Sequence, residues 1–246
     1  MASDGDFFAS CLRALEVSYE VGGEGLAAIP ANGPLVVVAN HPLGGLDGVI
    51  LGDLVRRIRP DGRILGNYLL REMPEMRESV IAVDPFGGKH RIRSNLGGTK
   101  EAVRWIRQGG ALLTFPSGEV SYPHLLQGRV TDCEWVPQIA GIVRRCRATV
   151  MPVFFEGRNS LPFQVLGFLH SIFLTLLLPR ELLRRHGTTV GLRTGRPLPW
   201  EELAGRAGAR DDAGLIEVLR RETYGLEKAP AKEGERISPR RPEPLR

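Results

Sequence analysis

Lysine is nearly absent from this sequence. Lys89, Lys100, Lys228 and Lys232 are the only four among 33 lysines and arginines; against 28 acids they leave a net charge of +5 carried almost wholly by guanidinium groups. The planar guanidinium fork suits paired contacts to phosphate oxygens, although a GC-rich genome produces the same bias. The balance fits an anionic partner such as nucleic acid, a phosphate ester or a membrane surface. Cysteine is scarce as well: Cys11, Cys133 and Cys146 are odd in number and form no C-x-x-C pair. Their spacing points away from a disulfide framework or a zinc site and toward a reducing compartment.

Several chemical signatures are missing. No serine lies in a G-x-S-x-G elbow, which weighs against a serine hydrolase of the α/β type. Gly87-Gly88-Lys89-His90 has the wrong spacing for a P-loop. Gly23 to Ala28 formally matches G-x-G-x-x-A, but Pro30 follows where a dinucleotide-binding helix should run. The histidines at 41, 90, 124, 170 and 186 make no ligand pair, so neither a metal nor another cofactor is expected. Zinc-finger spacing and an aromatic RNA-binding pattern are absent too, which removes nucleic acid from the partners. The first residues, MASDGD, lack a basic and then apolar leader, so the chain is expected to stay in the cytoplasm. Long hydrophobic runs are limited to one, Leu161 to Pro179. It approaches the ~20 residues that span a bilayer, yet Pro162, Gln164, Gly167, His170 and Ser171 interrupt it and Arg180, Arg184 and Arg185 follow. A buried helix, an interfacial helix and a spanning helix are the three readings. The interfacial one makes Leu161 to Arg185 a peripheral membrane contact.

What is present describes a globular chain. The 246 residues, 42% hydrophobic and 25% charged, are enough to bury one large core. Apolar segments alternate in type. Leu35 to Asn40 (LVVVAN) reads as a buried strand, and Gly48 to Ile58 as a helix with Val49, Ile50, Leu54 and Ile58 on one face. Short strands at Arg63 to Gly66 and Ser79 to Val83, a helical turn at Pro74 to Glu78 and a helix at Thr99 to Gln108 follow. Further strands fall at Ala111 to Phe115, Val150 to Phe155 and Thr189 to Thr194. This order predicts an α/β fold with a largely parallel central sheet flanked by helices. The expected partition is an N-terminal amphipathic segment over 1–19 (Phe7, Phe8, Cys11, Leu12, Leu15), one domain over 20–227, and a proline-rich, charged tail without structure over 228–246.

In an open α/β sheet, ligands bind beyond the carboxyl ends of the strands. Three loops meet that description: His41-Pro42-Leu43-Gly44-Gly45-Leu46-Asp47, Pro116-Ser117-Gly118-Glu119-Val120-Ser121, and Glu156-Gly157-Arg158-Asn159-Ser160. In the first, glycines let the chain fold back so that Asp47 can orient His41 as a proton acceptor. Equally, His41 can close a strand end while Asp47 caps a helix beginning at Gly48. Spacing alone leaves both open.

Asn40-His41-Pro42 with Asp47, then Phe115-Pro116-Ser117-Gly118-Glu119-Val120-Ser121, then Met151-Pro152-Val153 with Gly157, resemble the ordered motifs of the glycerolipid and lysophospholipid acyltransferase superfamily. Asp132-x-x-Trp135, Gly157 to Ser160 and Leu178 to Leu182 are closest to its bacterial hemolysin-like branch. Five residues separate His41 from Asp47 where the usual dyad has four; that branch shares the longer form, and Gly44-Gly45 gives the backbone room for it. The resemblance covers about residues 20 to 200.

It implies acyl transfer from acyl-coenzyme A or acyl carrier protein to a hydroxyl of a lysophospholipid or glycerolipid, at the inner face of the cell membrane. Lyso-ornithine or lyso-glycine lipids are the alternative acceptors, and a non-catalytic lipid-binding protein is the alternative role. The catalytic pair it implies is His41 and Asp47. It also implies that Ser117, Gly118, Glu119, Arg91, Arg93 and Arg158 contact substrate, and that Gly44 and Gly45 donate amides to the oxyanion. A thioesterase or lipase, with water as acceptor, is the remaining competitor.

Overall fold

Every residue of Leu35–Ala39 is buried, as a strand requires when it is covered on both faces. The computed structural model describes residues 4–83, 91–118, 120–124, 129–159, 180–206, 208–228 and 234–239. In chain order the elements are α1 (Asp4–Ala14), β1 (Ser18–Gly23), β2 (Leu35–Ala39), α2 (Gly45–Arg56), β3 (Arg63–Asn67) and β4 (Val80–Val83). They continue with α3 (Arg91–Arg107), β5 (Ala111–Thr114), β6 (Tyr122–His124), β7 (Arg129–Thr131), α4 (Pro137–Cys146) and β8 (Thr149–Phe155). The last are β9 (Thr189–Thr194), α5 (Trp200–Ala204), α6 (Asp212–Gly225) and β10 (Glu235–Ile237).

The main sheet runs β10-β1-β9-β8-β2-β5-β3-β4. Pairings from β8 through β4 are parallel, β9 turns antiparallel to β8, and β1 follows β9 in parallel. The sheet is therefore largely parallel, as the alternation of segments predicts. Alternating side chains of one apolar run feed two cores. Leu35, Val37 and Ala39 pack with α1 and α2, while Val36 and Val38 pack with α3, α4 and α6.

The partition at both ends differs from the one expected. Phe8, Leu12 and Leu15 of α1 belong to the first core, and β1 continues past residue 19 with Tyr19 fully buried. Phe8 lies across Gly52 of α2, where even a methyl group would stand 2.6 Å from its ring. The first residues are thus one side of the domain's own core. The expected tail also contributes: β10 pairs antiparallel with β1, Ile237 is buried, and Arg57 Nη2 donates to the Ser238 carbonyl at 3.1 Å. Open main-chain groups on an edge strand recruit a short segment without any apolar period. Helices α4 and α6 lie in stretches where the sequence reading assigned none, though Ile139, Ile142 and Val143, and Leu215, Ile216 and Leu219, line their buried faces. The run Leu161 to Pro179 lies outside the described residues. No helix among the described residues is long and apolar enough to cross a membrane.

The Phe8–Gly52 contact makes a direct prediction. Phe8→Ala opens a cavity in the first core and is expected to lower stability by about 3–5 kcal/mol in urea unfolding. Phe7→Ala, at a half-buried position, serves as the milder comparison.

Candidate active site

Strand β2 ends at Ala39, and the next two residues are held from several directions. Asn40 is buried and bridges to β8: its Nδ2 donates to the Phe155 carbonyl at 2.9 Å and its Oδ1 accepts the Phe155 N–H at 2.6 Å. These paired bonds prolong the β2–β8 ladder by one side chain. His41 follows at the carboxyl end of the sheet, its ring stacked on Phe115 at the end of β5, with centroids 4.0 Å apart. The backbone then turns through Gly44, whose φ of 68° favours glycine, and enters α2 at Gly45. Asp47 is therefore the third residue of a helix that begins earlier than the sequence suggests, and Gly44, rather than Asp47, is its cap.

This geometry joins the two sequence readings. Asp47 Oδ2 accepts the Leu43 N–H at 2.8 Å, tying down the helix entrance, and lies 3.1 Å from His41 Nδ1. An ionised carboxylate only accepts, so Nδ1 carries the hydrogen and Nε2 holds the lone pair. Asp47 is fully buried while His41 is partly open to solvent. Burial pushes the Asp47 carboxyl above its ordinary value of 3.8, and the Asp132 charge adds to the rise. The His41 hydrogen bond and charge and the Leu43 N–H act in the opposite direction. The α2 N-terminus, with positive dipole end and first-turn N–H groups, also favours negative charge at this spot. The arrangement is an imidazole oriented by a buried carboxylate, a geometry chemically suited to accepting a proton at Nε2.

A second carboxylate holds the His41 backbone in place. Asp132 is buried, and its Oδ1 accepts the His41 backbone N–H at 3.1 Å and the Ser121 hydroxyl. Its Oδ2 accepts Trp135 Nε1 at 3.0 Å. Its own N–H donates to the Tyr224 hydroxyl at 3.0 Å, and Ser121 N–H donates to the His41 carbonyl at 2.9 Å. Burial, with the Asp132 charge, pushes the Tyr224 hydroxyl pKa up. The loop after β5 is thereby fastened to the loop after β2. The sequence reading noted Asp132-x-x-Trp135 only as a likeness and gave no role to Asn40, Asp132 or Phe115. The three-residue step from an acid to a tryptophan was the one local sign of this hub.

The remaining sequence candidates fall into four groups. Ser117 and Gly118 occupy the turn after β5, with Ser117 buried, Gly118 at φ 68° and its N–H bonded to the Phe115 carbonyl at 2.9 Å. Gly44 and Gly45 form the entrance to α2, so their amides border the His41 loop. Arg158 follows β8 and is exposed, its carbonyl accepting from Arg185 Nη2 at 2.5 Å. Arg91 and Arg93 stand in the first turn of α3, and their side chains lie outside the described residues, as does Glu119 altogether.

Comparison with known proteins agrees with this arrangement. The family model described as Acyltransferase matches residues 2–231. A lyso-glycine lipid O-acyltransferase of Phocaeicola vulgatus is 30% identical over 208 residues, covering 80% of this chain and 70% of that protein. A protein of the same name from Bacteroides thetaiotaomicron is 28% identical over 209 residues, covering 80% and 71%. Among solved structures, the 1-acyl-sn-glycerophosphate acyltransferase PlsC of Thermotoga maritima superposes with a TM-score of 0.57 at 18% identity, covering 93% of this chain and 80% of that one. A family match over nearly the whole length is sufficient for the assignment. The chain belongs to the acyltransferase family, within the glycerolipid acyltransferase superfamily, and is an enzyme.

Proposed function

We propose that the enzyme transfers a fatty acyl group from a thioester, acyl-coenzyme A or acyl carrier protein, to a hydroxyl of a lyso-lipid. The carrying observation is the 3.1 Å contact between His41 Nδ1 and the fully buried Asp47 at the carboxyl end of β2. His41 Nε2 takes the acceptor's hydroxyl proton as the oxygen attacks the thioester carbonyl. Asp47 stabilises the imidazolium that forms. The tetrahedral oxyanion faces amides at the α2 entrance, Gly44 and Gly45; the Gly118 N–H is already taken by the Phe115 carbonyl. Collapse of the intermediate breaks the carbon–sulfur bond, and the departing thiolate takes the proton back from His41. No cofactor enters this scheme.

For the acceptor, two relatives at 28–30% identity bear the name lyso-glycine lipid O-acyltransferase, which supports a lyso-amino-acid lipid. Such an acceptor presents a carboxylate where lysophosphatidic acid presents a phosphate. Arg91, Arg93 and Arg158 are the cations we assign to that anion, and Ser117 and Glu119 the groups that bind its polar head. The second reading, lysophosphatidic acid, draws on the fold shared with PlsC. We also propose peripheral attachment to the inner face of the cell membrane through the segment from Leu161 to Arg185, in which Arg180 and Arg184 are exposed. Mass spectrometry of products from mixed lyso-lipids, offered with each thioester in turn, decides among acceptors. Acylated lyso-glycine lipid is the expected product. Acylated lysophosphatidic acid transfers the assignment to the second reading, and free fatty acid formed at full rate without any acceptor replaces transfer by hydrolysis.

Two variants test the mechanism. His41→Ala is expected to reduce turnover by about 10²–10⁴-fold, the usual worth of a positioned general base, in the same assay. Asp47→Asn separates catalysis from stability. The folded chain raises the Asp47 pKa, so protonated Asp47 favours folding: this contribution is complete below the ordinary value of 3.8 and is lost as pH rises through the folded pKa. Ionised Asp47 therefore opposes folding at neutral pH. Asparagine keeps one oxygen for the Leu43 N–H and His41 and puts its NH₂ where Oδ1 has no partner among the described residues. Urea midpoints at neutral pH are expected to be no lower than for the unsubstituted enzyme, while activity falls by about 10²-fold or more.

A further inference from the structure

Large apolar side chains that remain exposed are unevenly placed. Tyr68, Leu69, Met73, Leu96 and Leu183 are all between 38% and 67% exposed; Tyr68 and Leu69 directly follow the carboxyl end of β3, and Met73 lies further along the crossover to β4. Among the described residues Ile58, just past the far end of α2, is the one exposed large apolar side chain at the opposite end. Strand register gives their level. Ile64 of β3 pairs with Leu113 of β5, which pairs with Val37 of β2. Counting four residues on brings Tyr68 level with His41, two strands and so about 10 Å to one side.

The other flank mirrors this one. His41 is level with Phe155 by the β2–β8 register, and Phe155 pairs with Leu192 of β9. Because β9 runs the opposite way, the residues before Thr189 project beyond that level, again two strands and about 10 Å from β2. Leu183, at 67% the most exposed of the set, lies there between exposed Arg180 and Arg184, and exposed Arg158 joins them through the Arg185 bond to its carbonyl. The Tyr68 flank carries Arg71 beside exposed Glu72, so its attraction is apolar. Leu96 stands close by, since Gly98 of the same helix rests on the Ala82 carbonyl at the end of β4.

We infer that this rim is a bilayer-contact surface with two footholds straddling the His41 loop: an apolar one at Tyr68, Leu69 and Met73, and a mixed one where Leu183 enters the headgroup layer while Arg180 and Arg184 pair with anionic lipid. This rests on the proposed lipid acceptor, because an acceptor delivered from a membrane must reach His41 across that rim. Apolar tips ringed by arginines are the chemistry of an interfacial contact. Each arginine near an anionic surface strengthens binding about fivefold, and salt weakens it. The Tyr68 foothold does not depend on charge.

Sedimentation of the full chain with vesicles of phosphatidylcholine, with and without phosphatidylglycerol, tests the surface. Tyr68→Ser/Leu69→Ser/Met73→Ser is expected to weaken binding to both vesicle types by about tenfold or more. Arg180→Gln/Arg184→Gln should remove mainly the increment that phosphatidylglycerol adds, together with its salt dependence. Both variants should retain the melting temperature, and acylation of a lyso-lipid dispersed in detergent micelles should stay within about twofold. Acylation of the same lipid embedded in vesicles should fall with binding. Unchanged vesicle binding by the triple variant overturns the surface, and so does an equal loss in micelles, which would make these residues part of the acceptor pocket. Binding lost as expected, with no transfer by the unsubstituted enzyme to any lyso-lipid, overturns the proposed function and leaves the surface standing.

Discussion

A carboxylate sealed inside the first turn of α2 is the constraint on which the rest of the site depends. Asp47 has no exposed surface, and burial raises its pKa. Three features make the ionised form tolerable: the His41 Nδ1–H, the Leu43 N–H and the positive end of the helix. Each requires the others. The Leu43 contact needs the tight turn at Gly44, the turn needs α2 to begin at Gly45, and the His41 contact needs the imidazole to lean back over that turn. A buried charge with this few partners lowers the stability of the fold; here it serves the base it orients.

The domain supplies rigidity from behind. Asn40 couples the ends of β2 and β8, and Asp132 gathers the His41 backbone, Ser121 and Trp135. Phe115 from β5 limits the tilt of the ring. Thus β8 fixes the residue before the histidine, while Phe115 after β5 and Asp132 after β7 restrain the histidine itself. The central place of β2 makes this arrangement available, because it is covered on both faces and has a strand on either side. The amino ends are braced separately, by Arg59, which pairs with Asp61 and donates to the carbonyls of Pro30, Gly33 and Gly109.

The same sheet end that carries His41 also carries exposed large apolar groups, Tyr68 and Leu69 after β3 and Leu183 before β9. Parallel strands bring the loops after β2, β3, β5 and β8 to one rim, and the antiparallel entry of β9 brings the residues before it there as well. Catalytic chemistry and surface character therefore share one edge of the molecule.

Much of this was legible in order along the chain. The apolar runs of β2, β5 and β8 are long enough in β-branched and aromatic residues to be read as strands directly, and each is followed at once by its polar loop. His41 and Asp47 were visible as a pair because they lie six positions apart around two glycines. Other features depended on residues distant in sequence, where no local pattern reports the contact. The roles of Asn40 and Asp132 arise from partners 115 and 91 residues away, Phe155 and His41 respectively. The strand at Glu235–Ile237 exists because β1 offers an open edge, and the start of α2 at Gly45 was hidden because glycine has little helix propensity of its own. The sequence by itself determined the alternation of strands and helices and marked His41 and Asp47 as a candidate pair, since periodicity and short spacing are local. Only the tertiary structure decided that Asp47 is buried, that Phe115 and Asp132 hold His41, and that exposed apolar side chains flank it, because burial and cross-strand register are properties of the packed sheet.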